Sequence, residues 1–192
     1  MTAWRLLGYR DVNLSKLPTH DSEKQLNIVI ETPRGSRIKI AYDSELGVFR
    51  YRRPLVLGVS YPYDWGFVPS TLAPDGDPLD AMIYHGGTGF PGLVVPCRAI
   101  GVVELSQAAE GKAERQRNDR LIVVPTHEER WKDATQFTRR IQEELEQFFL
   151  LATLMTDKEA RVEGWKGPDA AARLIETTAA TFRKEKGHGT NR

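Results

Sequence analysis

The sequence YPYDWGFVPSTLAPDGDPLD, residues 61–80, ends in a cluster of three carboxylates with a glycine and a proline between them. The carboxylates are Asp75, Asp77 and Asp80. Like charges at this spacing repel one another unless a cation compensates, and a hard divalent ion with oxygen ligands is the usual compensation. Gly76 allows a tight turn, and Pro78 limits the flexibility of that turn. The spacing alone predicts a metal site and leaves a solvated acidic turn open as the alternative.

Basic and aromatic side chains precede the acidic cluster in the chain. They are Arg34, Arg37, Lys39, Arg50, Arg52, Arg53, Tyr61, Tyr63 and Trp65. Guanidinium forks and ammonium groups suit phosphate oxygens, although charge on exposed strands is also ordinary. Carboxylates for a metal together with cations for phosphate indicate metal-assisted phosphoryl chemistry.

The composition describes a chain with one core and no strong charge bias. The 192 residues are 40% hydrophobic with a net charge of +1, which predicts one domain over 1–192 and no attraction to nucleic acid or membranes. We find neither a long uncharged apolar run nor an apolar leader in the first residues. Cys97 is the single cysteine, so no intrachain disulfide can form. These features predict a cytoplasmic protein.

Two kinds of pattern follow one another along the chain. Short β-branched runs between Gly- and Pro-rich turns predict strands from 26 to about 125, in a compact barrel. The runs are LNIVIET, RIKIAYD, GVFRYRR, LVVPCRAIGVVEL and LIVVP. Apolar residues at helical spacing predict a helix over 135–155, and Pro168 marks the start of a second helix.

Three polar segments carry no strong pattern. Residues 1–25 predict an N-terminal arm, 106–119 a long exposed loop, and 186–192 a disordered tail. The fold class expected from these patterns is α+β and mainly β, a compact barrel followed by two C-terminal helices.

The order of the motifs resembles the soluble (family I) inorganic pyrophosphatases over roughly residues 25–180. The matching stretches are IVIETPRGSRIK, YPYDWGFVPSTLAPDGDPLD, CRAIGVVEL, LIVVP and VEGW. This resemblance implies a closed β-barrel of OB type flanked by two C-terminal helices. It also implies dependence on Mg2+, with Mn2+ as a possible substitute, and homo-oligomers that are hexamers in bacterial members. The implied substrate is a small phosphate compound, with no nucleic acid or membrane partner.

The resemblance also implies roles for the acidic residues. Asp75 and Asp80 are expected to bind the activating metals, with Asp80 bridging two of them around the attacking water. Asp77 is expected to take part in metal binding and to be the general base for that water. Glu31 and Asn118 are expected in the outer shell of the site.

The cationic and phenolic residues receive roles in the same way. Lys39 and Arg53 are expected to hold the phosphates and to act in catalysis. Tyr61 is expected to hydrogen-bond near the nucleophile or the leaving group, and Arg120 to keep a phosphate-binding cation.

The chain departs from the family pattern within the site itself. Ala41 replaces a glutamate, Gln107 and Asn118 replace metal-binding aspartates, and Glu110 could approach only if its loop folds back. Trp65 replaces a tyrosine, and Ala152 and Thr153 replace a tyrosine–lysine pair. Asp119 does not restore a lost ligand, because neighbouring residues of a strand face opposite sides.

The favoured hypothesis is hydrolysis of a phosphoanhydride, inorganic pyrophosphate in the first instance, by a metal-activated water, with activity that is reduced or altered. Two alternatives stay open. One is a hydrolase of the same fold that acts on an organic phosphate or diphosphate, because the pocket is less polar on one side. The other is a non-catalytic phosphate-binding paralogue.

Overall fold

The computed structural model describes residues 12–108 and 115–188. Nine strands precede or separate two helices along these ranges. The strands are β1 (Leu26–Thr32), β2 (Ile38–Asp43), β3 (Val48–Pro54), β4 (Asp64–Phe67), β5 (Asp80–Ile83), β6 (Val94–Ala108), β7 (Arg115–Arg117), β8 (Arg120–Pro125) and β9 (Ala160–Lys166). The helices are α1 (Arg139–Thr153) and α2 (Pro168–His188).

Five strands form a closed ring. The pairing runs from β1 to β4, β5, β8 and β6, and β6 pairs back with β1. β5 and β8 run parallel, and the other pairs of the ring are antiparallel. Closure leaves no unpaired edge in the ring. The prediction of a mainly β fold with an OB-type closed barrel and two C-terminal helices is confirmed.

Strand β8 shows why the barrel strands are continuous apolar runs. Leu121 and Val123 pack in an apolar cluster that includes residues of α2. Ile122 and Val124 point the other way, into the cluster that includes residues of α1. Since successive side chains of a strand face opposite sides, both faces of β8 are buried and no polar alternation appears in its sequence.

Helix α1 begins later than its apolar pattern predicts. A 3₁₀ turn at Ala134–Gln136 comes first, and the Thr138 side chain then caps α1 by accepting from the Ile141 backbone N–H at 3.4 Å. The predicted helix start at 135 was therefore wrong, because a capping threonine starts a new helix there. Helix α1 buries Leu145, Phe148 and Phe149 against the barrel.

The end of helix α2 also differs from expectation. It continues to His188, so the disordered tail predicted from residue 186 was wrong for 186–188. A basic last turn favours helix at its carboxyl end through the macrodipole, and this effect outweighs the polar composition of the segment. Residues 189–192 lie outside the described ranges.

The polar segment 106–119 is not an exposed loop at its two ends. β6 extends to Ala108 and pairs with β7, with Ser106 opposite Arg117 and Gln107 opposite Gln116. Ser106, Gln107 and Asn118 are buried. The prediction failed because these polar side chains face the interior of a site, which hydropathy cannot distinguish from solvent. Residues 109–114, and with them Glu110, lie outside the described ranges.

The N-terminal segment 12–25 runs along the loop after β4. The Ser70 backbone N–H donates to the Ser15 carbonyl at 2.9 Å, and the Thr19 hydroxyl donates to the Pro69 carbonyl at 3.1 Å. Residues 1–11 of the predicted arm lie outside the described ranges. Neither helix of the described chain combines the length and the apolar character that a membrane span requires.

Candidate active site

A tight turn before β5 presents the three clustered carboxylates, which we call the acidic corner (Asp75, Asp77 and Asp80). The Ala73 N–H donates to the Asp77 carbonyl at 2.8 Å, and Gly76 has a φ of +88° that a glycine adopts without strain. The Asp77 N–H donates to the Asp75 carboxylate at 3.3 Å. Asp75 and Asp80 are half-buried, whereas Asp77 is exposed to solvent.

The β2–β3 hairpin brings two cations to the same side of the barrel. Lys39 lies opposite Arg53 in the register of the hairpin. The Thr32 hydroxyl ties the hairpin to β1, because it donates to the Ile40 carbonyl at 2.8 Å and accepts from the Ile40 N–H at 3.0 Å. The predicted pairing of a lysine and an arginine therefore has a structural origin in one two-stranded ribbon.

A cavity of about 50 Å³ joins this hairpin to β6, β8 and α1. Its charged and polar lining comprises Lys39, Arg53, Tyr61, Trp65, Ser106, Gln107, Asn118, Arg120 and Thr153, and its apolar lining comprises Leu105, Phe148, Phe149, Ala152 and Ala160. Five of the predicted site residues therefore line one cavity, namely Lys39, Arg53, Tyr61, Asn118 and Arg120, whereas Glu31, Asp75, Asp77 and Asp80 do not line it. The exposed Arg34, Arg37, Arg50 and Arg52 do not line it.

The acidic corner and Glu31 stand beside this cavity and interact with it through charge. Burial raises the pKa of Asp75, and the neighbouring charges of Asp80 and Asp77 raise it further. Burial likewise raises the pKa of the Tyr61 phenol well above its ordinary value. The charge of Arg53 lowers this pKa, and the charge of Asp80 raises it. Tyr61 therefore keeps its proton at neutral pH and can donate a hydrogen bond.

Glu31 is a buried carboxyl on β1 behind the acidic corner. It accepts the Tyr42 backbone N–H at 2.8 Å. Burial raises its pKa from 4.5 to about 7, and the charges of Asp80 and Asp77 add to the rise, while the Tyr42 hydrogen bond and Lys39 oppose it. Glu31 therefore titrates near neutral pH, and its pKa depends on the charges of Asp80, Asp77 and Lys39.

Glu31 makes the stability of the protein depend on pH in a defined direction. Its raised pKa means that the native state binds more protons than the unfolded state between pH 4.5 and about 7. Stability from this group is thus fully present below pH 4.5 and is lost as the pH rises to 7. The Glu31→Gln variant keeps the acceptor for Tyr42 but does not titrate. We expect its free energy of unfolding to rise relative to that of the native chain by about 3 kcal/mol as the pH goes from 5 to 8.

Urea unfolding at the two pH values, with a chelator present, measures this difference. The exposed Glu45, in the turn after β2, provides the matched control, and Glu45→Gln is expected to follow the native chain. An unchanged pH dependence in Glu31→Gln would contradict the assignment of this titration to Glu31.

Arg120 connects the acidic corner to the cavity. Its Nη1 lies 2.5 Å from Asp80 Oδ2 and also donates to the Asn118 side-chain oxygen. Its guanidinium carbon lies 5.3 Å from the centre of the Trp65 ring, in cation–π contact. The expected phosphate-binding cation is therefore engaged with protein oxygens, and Asn118 contacts Arg120.

The wall that α1 contributes to the cavity carries no charged side chain. It consists of Phe148, Phe149, Ala152 and Thr153. Arg53 donates from Nη2 to the Ala152 carbonyl at the end of this helix. Trp65 packs edge-on against Tyr61 and Phe149. Its indole N–H is buried and has no acceptor within the described part of the protein. An unpaired buried donor costs free energy, so an acceptor in the adjoining cavity would be stabilised there.

The oxygen donors of the acidic corner determine how well the site fits a metal. Within residues 12–108 and 115–188, no three carboxylate, imidazole or thiolate side chains converge closely enough to hold an ion by themselves. Mg2+ normally takes one or two carboxylates and completes its shell with water and substrate phosphates. The acidic corner fits such an open, oxygen-only site. Burial is the main cause of the raised pKa of Asp75, and the charges of Asp80 and Asp77, which a cation would neutralise, add to it.

The structure explains two carboxylates that lie close in sequence to predicted site residues. Asp119 accepts the Leu105 N–H at 2.9 Å and pairs with Arg117 at 2.9 Å. Residues 118 and 119 lie between β7 and β8, so these contacts and not strand alternation engage the Asp119 carboxylate. Asp64 is fully buried and binds His85 Nε2 at 2.8 Å and the Arg34 N–H at 2.7 Å. Asp64 was not among the predicted site residues. Its position between Tyr63 and Trp65 in the sequence was the signal that could have identified it.

Comparisons with known proteins agree with this geometry. A family model described as inorganic pyrophosphatase matches residues 28–183. The inorganic pyrophosphatase of a Synechocystis strain is 32% identical over 175 residues, which is 90% of this chain and 100% of that protein. A Pseudanabaena inorganic pyrophosphatase is 34% identical over 178 residues, 90% of this chain and 95% of its own length.

A solved structure with the same architecture extends the comparison. The crystal structure of the inorganic pyrophosphatase from Thermus thermophilus superposes with a TM-score of 0.81 at 31% identity, covering 90% of this chain and 99% of that one. The two proteins therefore share their fold over 90% of this chain.

Proposed function

The chain belongs to the inorganic pyrophosphatase family, and on that premise we propose that it hydrolyses pyrophosphate to two phosphates with a water that Asp77 deprotonates. The observation that carries this proposal is the meeting of Lys39, Arg53 and Tyr61 at a cavity beside the acidic corner. A phosphate compound bound in the cavity would meet the cations and the phenolic donor there, with the carboxylates of the acidic corner beside it. This is the division that phosphoanhydride hydrolysis requires.

The chain's own residues then divide the work as follows. The Lys39 ammonium and the Arg53 guanidinium bind phosphate oxygens and offset the charge of the substrate. The Tyr61 hydroxyl keeps its proton, because its pKa is raised, and donates it as a hydrogen bond to a phosphate oxygen or to the attacking water. The exposed Asp77 carboxylate takes the proton of the water as the bond to phosphorus forms.

A divalent metal ion is the cofactor, and we propose Mg2+, with Mn2+ as a substitute. Asp75 and Asp80 would hold it, with Asp77 beside them and Glu31 and Asn118 further out. The bound ion lowers the pKa of water and neutralises phosphate charge. The hard oxygen donors of these side chains support this choice of ion.

The direct test measures phosphate release from pyrophosphate by the purified protein with Mg2+, with Mn2+ and with a chelator. We expect turnover that depends on the added ion. Absence of turnover with either ion would contradict the proposal. Turnover that is lost in Asp77→Asn comes from this site, whereas turnover that the variant keeps comes from another residue or a contaminating enzyme.

A second substrate class is supported by the apolar wall of the cavity. Ala152, Phe148 and Phe149 leave room where no charge is offered, and the unpaired Trp65 N–H can donate to an ester oxygen. We propose that diphosphates with one small organic substituent, such as methyl diphosphate, also react. Water cleaves the anhydride bond, and methyl phosphate and phosphate leave.

Filling the cavity tests this second substrate class. We expect Ala152→Leu to lower kcat/KM for methyl diphosphate by about tenfold or more relative to kcat/KM for pyrophosphate, because the added methyl groups occupy the space of the substituent. Phosphate release from both substrates in the same preparation gives the ratio. An unchanged ratio would remove this candidate.

The remaining proposals concern assembly and location. Leu154 and Met155 at the end of α1 are large, apolar and exposed, and Leu151 is partly so. These residues support a homo-oligomeric enzyme, which we propose to be a hexamer by family resemblance. The single cysteine supports a cytoplasmic location. Two apolar clusters, one with α1 and one with α2, lie on opposite faces of the same barrel strands, which supports a single domain.

A further inference from the structure

The Arg120 guanidinium makes three contacts with other side chains of the protein, in addition to any contact with a substrate phosphate. Its Nη1 is 2.5 Å from Asp80 Oδ2, it donates to Asn118 Oδ1, and its guanidinium lies over the Trp65 ring. The side chain is 12% exposed and that of Asp80 is 19% exposed. Ion pairs this shielded hold their geometry better than surface pairs.

The position of this guanidinium is that of a bound cation. A carboxylate oxygen of Asp80 and an amide oxygen of Asn118 converge on a single nitrogen. Both are hard donors that suit a divalent ion equally well. Arg120 therefore occupies the point where an ion shared by Asp80 and residue 118 would be coordinated.

The surrounding side chains favour a monovalent cation at this point. Gln107 and Asn118 are buried neutral amides, so they add oxygen donors without adding negative charge. A divalent ion at Asp80 would have to displace Arg120 or stand beside its positive charge. Displacement would give up the ion pair, the Asn118 hydrogen bond and the Trp65 contact together.

We propose that Arg120 is a built-in cation that replaces one divalent metal ion on the Asp80–Asn118 side of the site. The protein then binds one ion fewer than its oxygen donors could hold. The ion proposed above would be held by Asp75 and by the other carboxylate oxygen of Asp80, with Asp77 beside them. This inference rests on the proposed metal-assisted function and adds to it, because hydrolysis itself requires only that some ion be bound at the acidic corner.

Counting bound Mn2+ in the absence of substrate tests the proposal. The paramagnetic resonance signal of free Mn2+ gives the number of ions bound per chain and their affinities. We expect Arg120→Gln to bind one more Mn2+ per chain, or to bind the existing ion at least about tenfold more tightly. Arg120→Lys keeps the positive charge and is expected to keep the count of the native chain.

Arg117 provides the matched control. It pairs with Glu104 and Asp119, away from Asp80, so Arg117→Gln removes the same charge without freeing the site. Arg120→Met, of similar volume, replaces Arg120→Gln if the glutamine variant fails to fold by circular dichroism. A native-like count and affinity in the neutral Arg120 variants, or the same gain in Arg117→Gln or Arg120→Lys, would overturn the proposal.

Phosphate release measured on the same preparations distinguishes failure of the proposed pyrophosphate hydrolysis from failure of the proposed role of Arg120. A native chain without pyrophosphate turnover contradicts the proposed function, whatever the ion count. A turning-over native chain whose ion count ignores Arg120 contradicts this further inference alone.

Discussion

Replacing Asp77 with asparagine is expected to lower kcat for pyrophosphate by about 10²- to 10⁴-fold, the usual contribution of a positioned general base. The amide has the size of the carboxylate but cannot accept a proton from water. Because Asp77 is exposed on its turn, the free energy of unfolding should change by no more than about 0.5 kcal/mol. Steady-state phosphate release, with urea unfolding alongside, measures both quantities.

The same variant has an electrostatic signature that is independent of turnover. The charge of Asp77 raises the pKa of both Glu31 and Asp75, so its removal should lower both pKa values. The exposed Asp169, in the first turn of α2, offers the matched control, and Asp169→Asn should leave turnover unchanged. Near-native turnover by Asp77→Asn would remove Asp77 as the base.

The largest expected effect on stability is that of Gly66→Ala. A Cβ at Gly66 would stand 1.9 Å from the Val29 carbonyl oxygen and 2.7 Å from its carbon, where β4 crosses β1. A backbone carbonyl cannot rotate out of the way as the end of a flexible side chain can. The paired strands β1 and β4 of the closed barrel would therefore have to move apart. We expect a loss of about 3 kcal/mol in the free energy of unfolding, measured by urea titration.

Gly86→Ala is the control for this substitution. A Cβ there meets no atom within 4 Å, and its φ lies outside the left-handed region. We expect a change of no more than about 0.5 kcal/mol. Equal losses in the two variants would mean that the β1–β4 crossing is not the cause.

Much of the fold was predictable from periodicity. β1, β2, β3, β6 and β8 fall on the β-branched runs identified in the sequence. For β1, β6 and β8 the cause is burial, because a strand with one or both faces buried must be apolar at alternate or successive positions. β4, β5, β7 and β9 are short or polar and carry no such pattern. Their residues become strands because the barrel wall and the extension of β6 offer backbone partners.

The sequence also determined which residue types form the site. The spacing of Asp75, Asp77 and Asp80 requires a cation or solvent near them, and the glycine between them requires a turn. Short-range chemistry of this kind depends on neighbours in the chain, so it is legible without a fold.

The tertiary structure alone decided how those residues are engaged. Lys39, Arg53 and Arg120 come from three strands, and their meeting at one cavity follows from barrel closure and from the β2–β3 hairpin. The rise in the pKa of Glu31 follows from burial, and the pairing of Arg120 with Asp80 follows from the parallel contact of β5 and β8. Burial and long-range pairing depend on residues far apart in the chain, and local sequence does not encode their distances.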